Sequence, residues 1–316
     1  MLLADGATGT NLFDMGLTSG EAPELWCEQH PDRVASLHRA FIEAGADIVL
    51  TNSFGGTRHR LKLHAADDRV GELNRRAAAI AREEADRSVN RTVLVAGSIG
   101  PTGELLQPLG ELTYEGAVEA FREQMRGLHE GGVDLLWAET MSAEDEMRAA
   151  IDAARSLDAD IVVTASFDTA GRTMMGITPA QIGSVAEGAV AVGANCGVGA
   201  SDILATLLEI ADERPIVVKG NCGLPRFEGT EVVYSGTPEQ MAQYVKLAVD
   251  GGASIIGGCC GTTPHHLAAM RAALDAHEKG ERPSLAAIEQ GVGGFVNSLA
   301  KPDAPRRRGR RSREAG

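Results

Sequence analysis

A single-domain (β/α)8 TIM barrel is the fold the sequence predicts, and three observations predict it. Eight short runs rich in aliphatic and β-branched residues recur along the 316 residues, and each is followed by a longer amphipathic stretch rich in Ala, Glu and Arg. The helical stretches also return to strands through a recurrent glycine-bearing loop, as in AGADI at 44–48, GGVDL at 131–135 and GGASI at 251–255. Near-continuous apolar strands belong to a parallel sheet covered on both faces, and eight βα units is the number that closes into a barrel. The repeated glycines fit helix C-caps.

Taken in order, the strands read as LLAD (2–5), DIVLTN (47–52), TVLVAGS (92–98), DLLWAET (134–140), DIVVTAS (160–166), AVAVGANC (189–196), PIVVKGN (215–221) and ASIIGGCC (253–260). The first helical stretch is HPDRVASLHRAFIEAGA, where Val34, Leu37, His38 and Phe41 share a face and Asp32 lies in the first turn, favourable to the helix dipole. Similar patterns cover 67–87, 114–131, 143–157, 178–188, 200–212, 237–251 and 264–278. Beyond residue 280 the alternation breaks into EQGVGGF and then a basic run, APRRRGRRSREAG. The barrel is therefore assigned to 1–280, and 281–316 to a C-terminal extension with a disordered basic tail.

Composition narrows the class of function. With 43% hydrophobic and 23% charged residues the chain is globular. No uncharged apolar run approaches the roughly 20 residues of a membrane span, and the N-terminus MLLADGATGT lacks the basic region of a signal peptide, so a cytoplasmic protein with no membrane partner is predicted. The formal charge is −14 although the last 13 residues carry six Arg, which leaves a body too acidic for nucleic acid. Five cysteines in such a chain do not form a disulfide framework.

In a barrel of this kind the chemistry sits at the C-terminal ends of the strands. Those ends hold Asp5, Asn52, Ser98, Glu139, Ser166, Cys196, Asn221, Cys259 and Cys260. Vicinal cysteines rarely bridge each other, but two adjacent thiolates can share a metal ion. With Cys196 they make a set of three, and tetrahedral zinc held by three protein ligands keeps one position open for substrate. A closed structural site would need a fourth ligand from Cys222, His265 or His266, and inert core thiols are a further alternative. Three thiolates make zinc a weak activator of water and a good one for a substrate thiol, which it deprotonates while leaving the sulfur nucleophilic. Alkyl transfer to sulfur is the reaction class that fits. Asp5 and Glu139 suit an ammonium group, while the turn DGATGT either offers amides to a carboxylate or is a plain tight turn. Lys219 could serve a Schiff-base aldolase, but that leaves the three cysteines idle, and a lysine paired with an acid is the simpler reading. Cys27 and Cys222 read as ordinary thiols, and His265 and His266 as capping or surface residues.

Seven segments, DGATGT, TNSFGG, GSIGPTG, ETM, GANCGVG, NCGLP and GGCCGTTP, occur in the order and at the strand ends where the homocysteine S-methyltransferases carry their motifs. Over residues 2 to about 275 the chain resembles that family. The resemblance implies that Cys196, Cys259 and Cys260 bind one zinc ion per chain, that Asp5 and Glu139 hold the ammonium of L-homocysteine, and that the Gly6 and Ala7 amides hold its carboxylate. It further implies that Asn221 takes the fourth zinc position before substrate arrives, with Asn52 and Ser98 completing the substrate site.

Members of the family use betaine, S-methylmethionine or a methylcorrinoid as methyl donor. An onium donor calls for an aromatic cage, and the positions matching the cage of betaine-using members are Ala22, Gly55 and Thr140. The stretches GRTMMGITP and TPEQMAQYVKLAVDGGASIIGGCCGTTP instead resemble the homocysteine-binding module of cobalamin-dependent methionine synthase. No DxHxxG cobalamin motif is present, so methylcobalamin would have to arrive on a separate corrinoid protein. A betaine or related onium donor is the alternative, and a zinc-binding scaffold subunit for a corrinoid protein is the non-enzymatic one.

Overall fold

The computed structural model describes residues 1–223, 225–228 and 231–297. Its strands are β1 (Leu2–Leu3), β2 (Ile48–Leu50), β3 (Leu94–Ile99), β4 (Leu135–Met141), β5 (Ile161–Ala165), β6 (Ala191–Cys196), β7 (Ile216–Gly220), β8 (Pro225–Glu228), β9 (Glu231–Tyr234) and β10 (Ile255–Gly258). Eight of them form one parallel sheet in the order β1-β10-β7-β6-β5-β4-β3-β2. The ends of that sheet meet through an Ala4–Ile48 bridge, with Asp5 N–H donating to Ile48 O at 2.9 Å and Asp47 N–H to Leu3 O at 2.7 Å. The eight-stranded barrel predicted from the repeating pattern is the fold.

Side chains alternate across each strand with period two, which divides the apolar residues between two layers. Ala4, Ile48, Leu50, Ala96, Trp137, Val162, Ala191, Val217 and Ile255 fill the lumen. Their neighbours Leu3, Val49, Val95, Leu136, Val163, Val192, Val218 and Ile256 face outward into the layer shared with the helices. Both faces are buried, which is why these strands carry little polar alternation. Trp137 is the largest lumen side chain, and its Nε1 donates to Thr164 Oγ1 at 3.1 Å. Truncating it to alanine should cost about 3–5 kcal/mol. Continuing the same alternation one step toward the C-terminal rim puts Ser98, Glu139, Thr164, Asn195, Lys219 and Cys259 in the polar layer above the lumen core.

The helical segments follow the predicted pattern: Pro31–Glu43, with Val34, Leu37, His38 and Phe41 all buried, then Val70–Asp86, Tyr114–Glu130, Glu144–Arg155, Ala200–Glu209, Pro238–Gly251 and Pro264–Ala276. Three features differ from the prediction. The stretch 178–188 shrinks to a 3-10 turn, Pro179–Gln181, and one α-helical turn, Ile182–Val185, beyond which Gly188 turns the chain at φ 99°. An antiparallel hairpin, β8 and β9, is inserted between β7 and its helix. Chain beyond 280 also packs on the barrel: Leu285–Val292 is a helix that buries Ile288 and Val292, and Asp202 accepts the amides of Val296 and Asn297 at 2.9 Å each. The basic tail read as disordered lies outside the described residues. Among those described, no helix is long and apolar enough to cross a membrane.

Candidate active site

The rim of β6 and β10 brings three thiols together. Cys196 ends β6, Cys259 and Cys260 follow β10, and all three sulfurs lie within 4.8 Å of one another. Register explains the meeting, because Cys196 pairs with Gly220 of β7 and Gly220 pairs with Gly258 of β10, so at the rim the residue between the cysteine-bearing strands has no side chain. The chain then turns back, with Thr262 N–H donating to Cys259 O at 3.0 Å; a Cβ on Gly258 would stand 2.3 Å from the Thr262 side chain, so only glycine fits that close approach.

Crowding makes the thiols reluctant acids. Cys196 is helped by a hydrogen bond from Cys259, but Cys260 and burial outweigh it and push the group up to about 12. Cys260, helped in turn by Cys196, is opposed by Cys259 and likewise stands at about 12. Cys259 is pushed higher still, by Cys196 first and by burial. Three sulfurs that cannot ionise together on their own fit a soft dication that ionises them and satisfies all three. The residues present therefore suit a zinc ion.

The thiols form part of the wall of a cavity of about 530 Å³, which Gly6, Ala7, Asn52, Ser98, Glu139 and Lys219 also line. Glu139 accepts a hydrogen bond from Ser98 Oγ at 2.5 Å, and burial raises its pKa while Lys219 and Ser98 work the other way. Asp5, assigned above to an ammonium, is committed elsewhere: Lys219 Nζ donates to its Oδ1 at 2.9 Å and Leu50 N–H to its Oδ2 at 2.8 Å. The pair is 1% and 2% exposed and Asp5 stands behind the cavity wall. Burial alone would lower the Lys219 pKa, but Asp5, Glu139 and Cys259 outweigh it and hold it above the ordinary lysine value. Its ammonium lies 5.4 Å from the centre of the Trp137 ring.

Other assigned residues occupy structural positions. Asn52 Nδ2 donates to Pro23 O at 2.7 Å and to Cys27 Sγ at 3.4 Å, so this side chain shapes the wall and engages the buried Cys27. Ala7 N–H donates to Thr262 O at 3.1 Å. Asn221 bridges the thiol-bearing turns, giving Nδ2 to Gly197 O at 2.7 Å and receiving Cys260 N–H at 3.0 Å. His266 caps its helix, its Nδ1 paired with Thr263.

The family described as homocysteine S-methyltransferase matches residues 2–274. This chain belongs to that family. Among its relatives, the methionine synthase of Mycobacterium tuberculosis is 30% identical over 304 residues, covering 89% of this chain and 25% of its own. The Mycobacterium leprae methionine synthase is 30% identical over 296 residues, 87% of this chain and 24% of its own. The chain thus spans about a quarter of the length of these relatives. Among solved structures, the homocysteine methyltransferase MmuM from Escherichia coli in its oxidised form is 26% identical with a TM-score of 0.72, covering 86% of this chain and 95% of that one. Its metallated form superposes with a TM-score of 0.73 at 24% identity, over 86% and 96%, which supports the fold.

Three features around this cavity are not marked by the strand-end motifs. Tyr234, at the end of β9, packs on Gly261, where a Cβ would come within 2.3 Å of its Cγ; burial and the neighbouring Cys260 raise its pKa. The signal for its hairpin was present, since PRFE and EVVY are two short runs separated by Gly-Thr. Second, Glu24 is buried in the cavity wall and accepts Gly55 N–H at 2.6 Å. Third, Asn195 in GANC was passed over for the cysteine beside it.

Proposed function

We propose that this chain is a zinc-dependent homocysteine S-methyltransferase that converts L-homocysteine to methionine, taking the methyl group from a methylcorrinoid carried by a separate protein. The single observation that carries the reading is the set of three thiols on the wall of a cavity that also presents Glu139. Zinc held by Cys196, Cys259 and Cys260 would supply a site where a substrate thiol ionises and stays nucleophilic. Glu139, oriented by Ser98, receives the substrate ammonium, and the wall formed by Gly6, Ala7 and Lys219 faces its carboxylate. Asp5 acts through Lys219, holding that ammonium in place. In the net reaction the sulfur exchanges its proton for the donor's methyl group, the donor keeps the electron pair of its broken bond to the methyl carbon, and the proton passes to solvent.

The similarity to methionine synthases supports the corrinoid donor, as does the lack of aromatic side chains at Ala22, Gly55 and Thr140. One observation favours the second reading, a betaine or related onium donor: Phe13, Phe54 and Glu24 line the same cavity, and rings with a carboxylate suit a cation. The deciding experiment offers homocysteine with methylcobalamin, a methylated corrinoid protein, betaine and S-methylmethionine in parallel. The highest kcat/KM should belong to the corrinoid donors, and faster turnover of betaine would replace the donor assignment while leaving the thiol and homocysteine assignments standing.

A further inference from the structure

Asn195 precedes Cys196 on β6, is 1% exposed, and spends its whole side chain on neighbours in the rim layer. Its Oδ1 accepts from Thr140 N–H and from Thr164 Oγ1, each at 2.7 Å, while its Nδ2 donates to Thr140 Oγ1 at 2.8 Å and lies 3.9 Å from Cys259 Sγ. Two non-glycine residues adjoining this network are left-handed, Thr140 at φ 61° and Cys196 at φ 62°. For a β-branched residue that conformation is costly and persists only where the surroundings over-determine it. Bonding both the amide and the hydroxyl of Thr140 is such over-determination. The register of β4 against β5 shifts between Ala138 and Met141, at the residues that present Glu139 to the cavity.

We propose that Asn195 is a positioning residue that sets the thiols and the Glu139 carboxylate relative to each other. Its Nδ2 steadies Cys259, the backbone beyond it carries Cys196, and both ends of its amide clamp Thr140 in the left-handed turn that follows Glu139. This rests on the reading of the three thiols as zinc ligands, and it assigns a task to a side chain that does not line the cavity. Groups supporting metal ligands commonly change metal affinity 10–100-fold when removed.

The test uses the full chain and two measurements, zinc affinity by chelator competition and homocysteine affinity by calorimetry at saturating zinc. In Asn195→Ala, zinc affinity should fall by about 10-fold or more and homocysteine binding should weaken. Adding Thr140→Gly should restore homocysteine binding, because glycine adopts the left-handed turn without a clamp, but not zinc affinity, because the contact to Cys259 stays lost. If Asn195→Ala does not fold, the double variant, freed of the strain, carries the zinc measurement. Wild-type zinc affinity in either variant, or no recovery of homocysteine binding on adding Thr140→Gly, overturns the proposal. A wild-type chain that binds no zinc overturns the thiol reading and this proposal with it.

Discussion

At the floor of the cavity Cys196, Cys259, Glu139 and Lys219 sit on or directly after strand ends, buried or half-buried, with Glu139 bonded to Ser98 and Lys219 to Asp5. At its mouth Phe13, Phe54 and Leu63 stand on the segments that follow β1 and β2, exposed by 51%, 37% and 72%, with the exposed Arg60 and His64 beside them. Groups on strands with paired polar atoms lose little freedom on binding, so a small ligand meets a site already assembled. Exposed apolar side chains on loops specify a ligand less sharply and tolerate replacement. Under the proposed function, the difference assigns recognition of the methyl acceptor to the barrel itself and recognition of the donor to the loops grafted on it.

The strongest way to break this division is at the thiols. Cys259→Ala should abolish stoichiometric zinc binding and methyl transfer, while Cys27→Ala, whose thiol is buried against Asn52 with its pKa pushed up to about 12, should change neither. Metal analysis after dialysis reads both, and full occupancy in Cys259→Ala would remove the floor from the scheme.

Next in size is the Asp5–Lys219 pair. Asp5→Asn leaves a buried ammonium without its counter-charge and should cost about 3–5 kcal/mol in urea unfolding, most of it recovered when Lys219→Met is added. The pH dependence has a definite sign. Because the folded Lys219 value is raised, the pair's stabilisation is complete below the ordinary lysine pKa of about 10.4 and is lost as pH climbs through the folded value. The wild type should therefore lose stability across that alkaline window, and the double variant should lack this component.

Glu139→Gln sharpens the comparison. Removing one charge-assisted contact should weaken homocysteine binding by about 1.5–3 kcal/mol, roughly 10- to 150-fold in Kd. Since burial raises the Glu139 pKa, wild-type affinity should fall as pH drops through that raised value, and the glutamine variant should not follow. The smallest effects belong to the mouth. Phe54→Ala and Leu63→Ala should leave homocysteine Kd within about 2-fold while raising the donor KM several-fold, and equal movement of both constants would show that floor and mouth are one site.

Much of this was legible along the chain because a barrel strand writes its position into its composition. Apolar runs with glycine-bearing returns marked eight units, and the strand ends named the rim residues, including all three thiols. What was not legible depended on partners far apart in sequence. Lys219 could be read as paired with an acid, but Asp5 and Glu139 were both available, and only closure of β1 onto β2 and β10 puts the Asp5 carboxylate within 2.9 Å of Lys219 Nζ. Asn195 looked like an ordinary residue before a cysteine until its bonds to Thr140 and Thr164 crossed two strands. The helix at Leu285–Val292 was missed because eight residues flanked by glycine read as the end of a pattern, and its stability comes from burying Ile288 and Val292 on the barrel.

By itself the sequence determined the barrel, the rim and which strand ends carry the three thiols, since those follow from periodicity and residue type, which are local properties. Tertiary structure decided which carboxylate faces the cavity, which one is neutralised by a buried lysine, and how a single asparagine links the thiols to the turn that follows Glu139. Those outcomes turn on ångström-scale register between strands up to 214 residues apart, and a hydrogen bond gained or lost over that distance leaves no periodic trace in the chain.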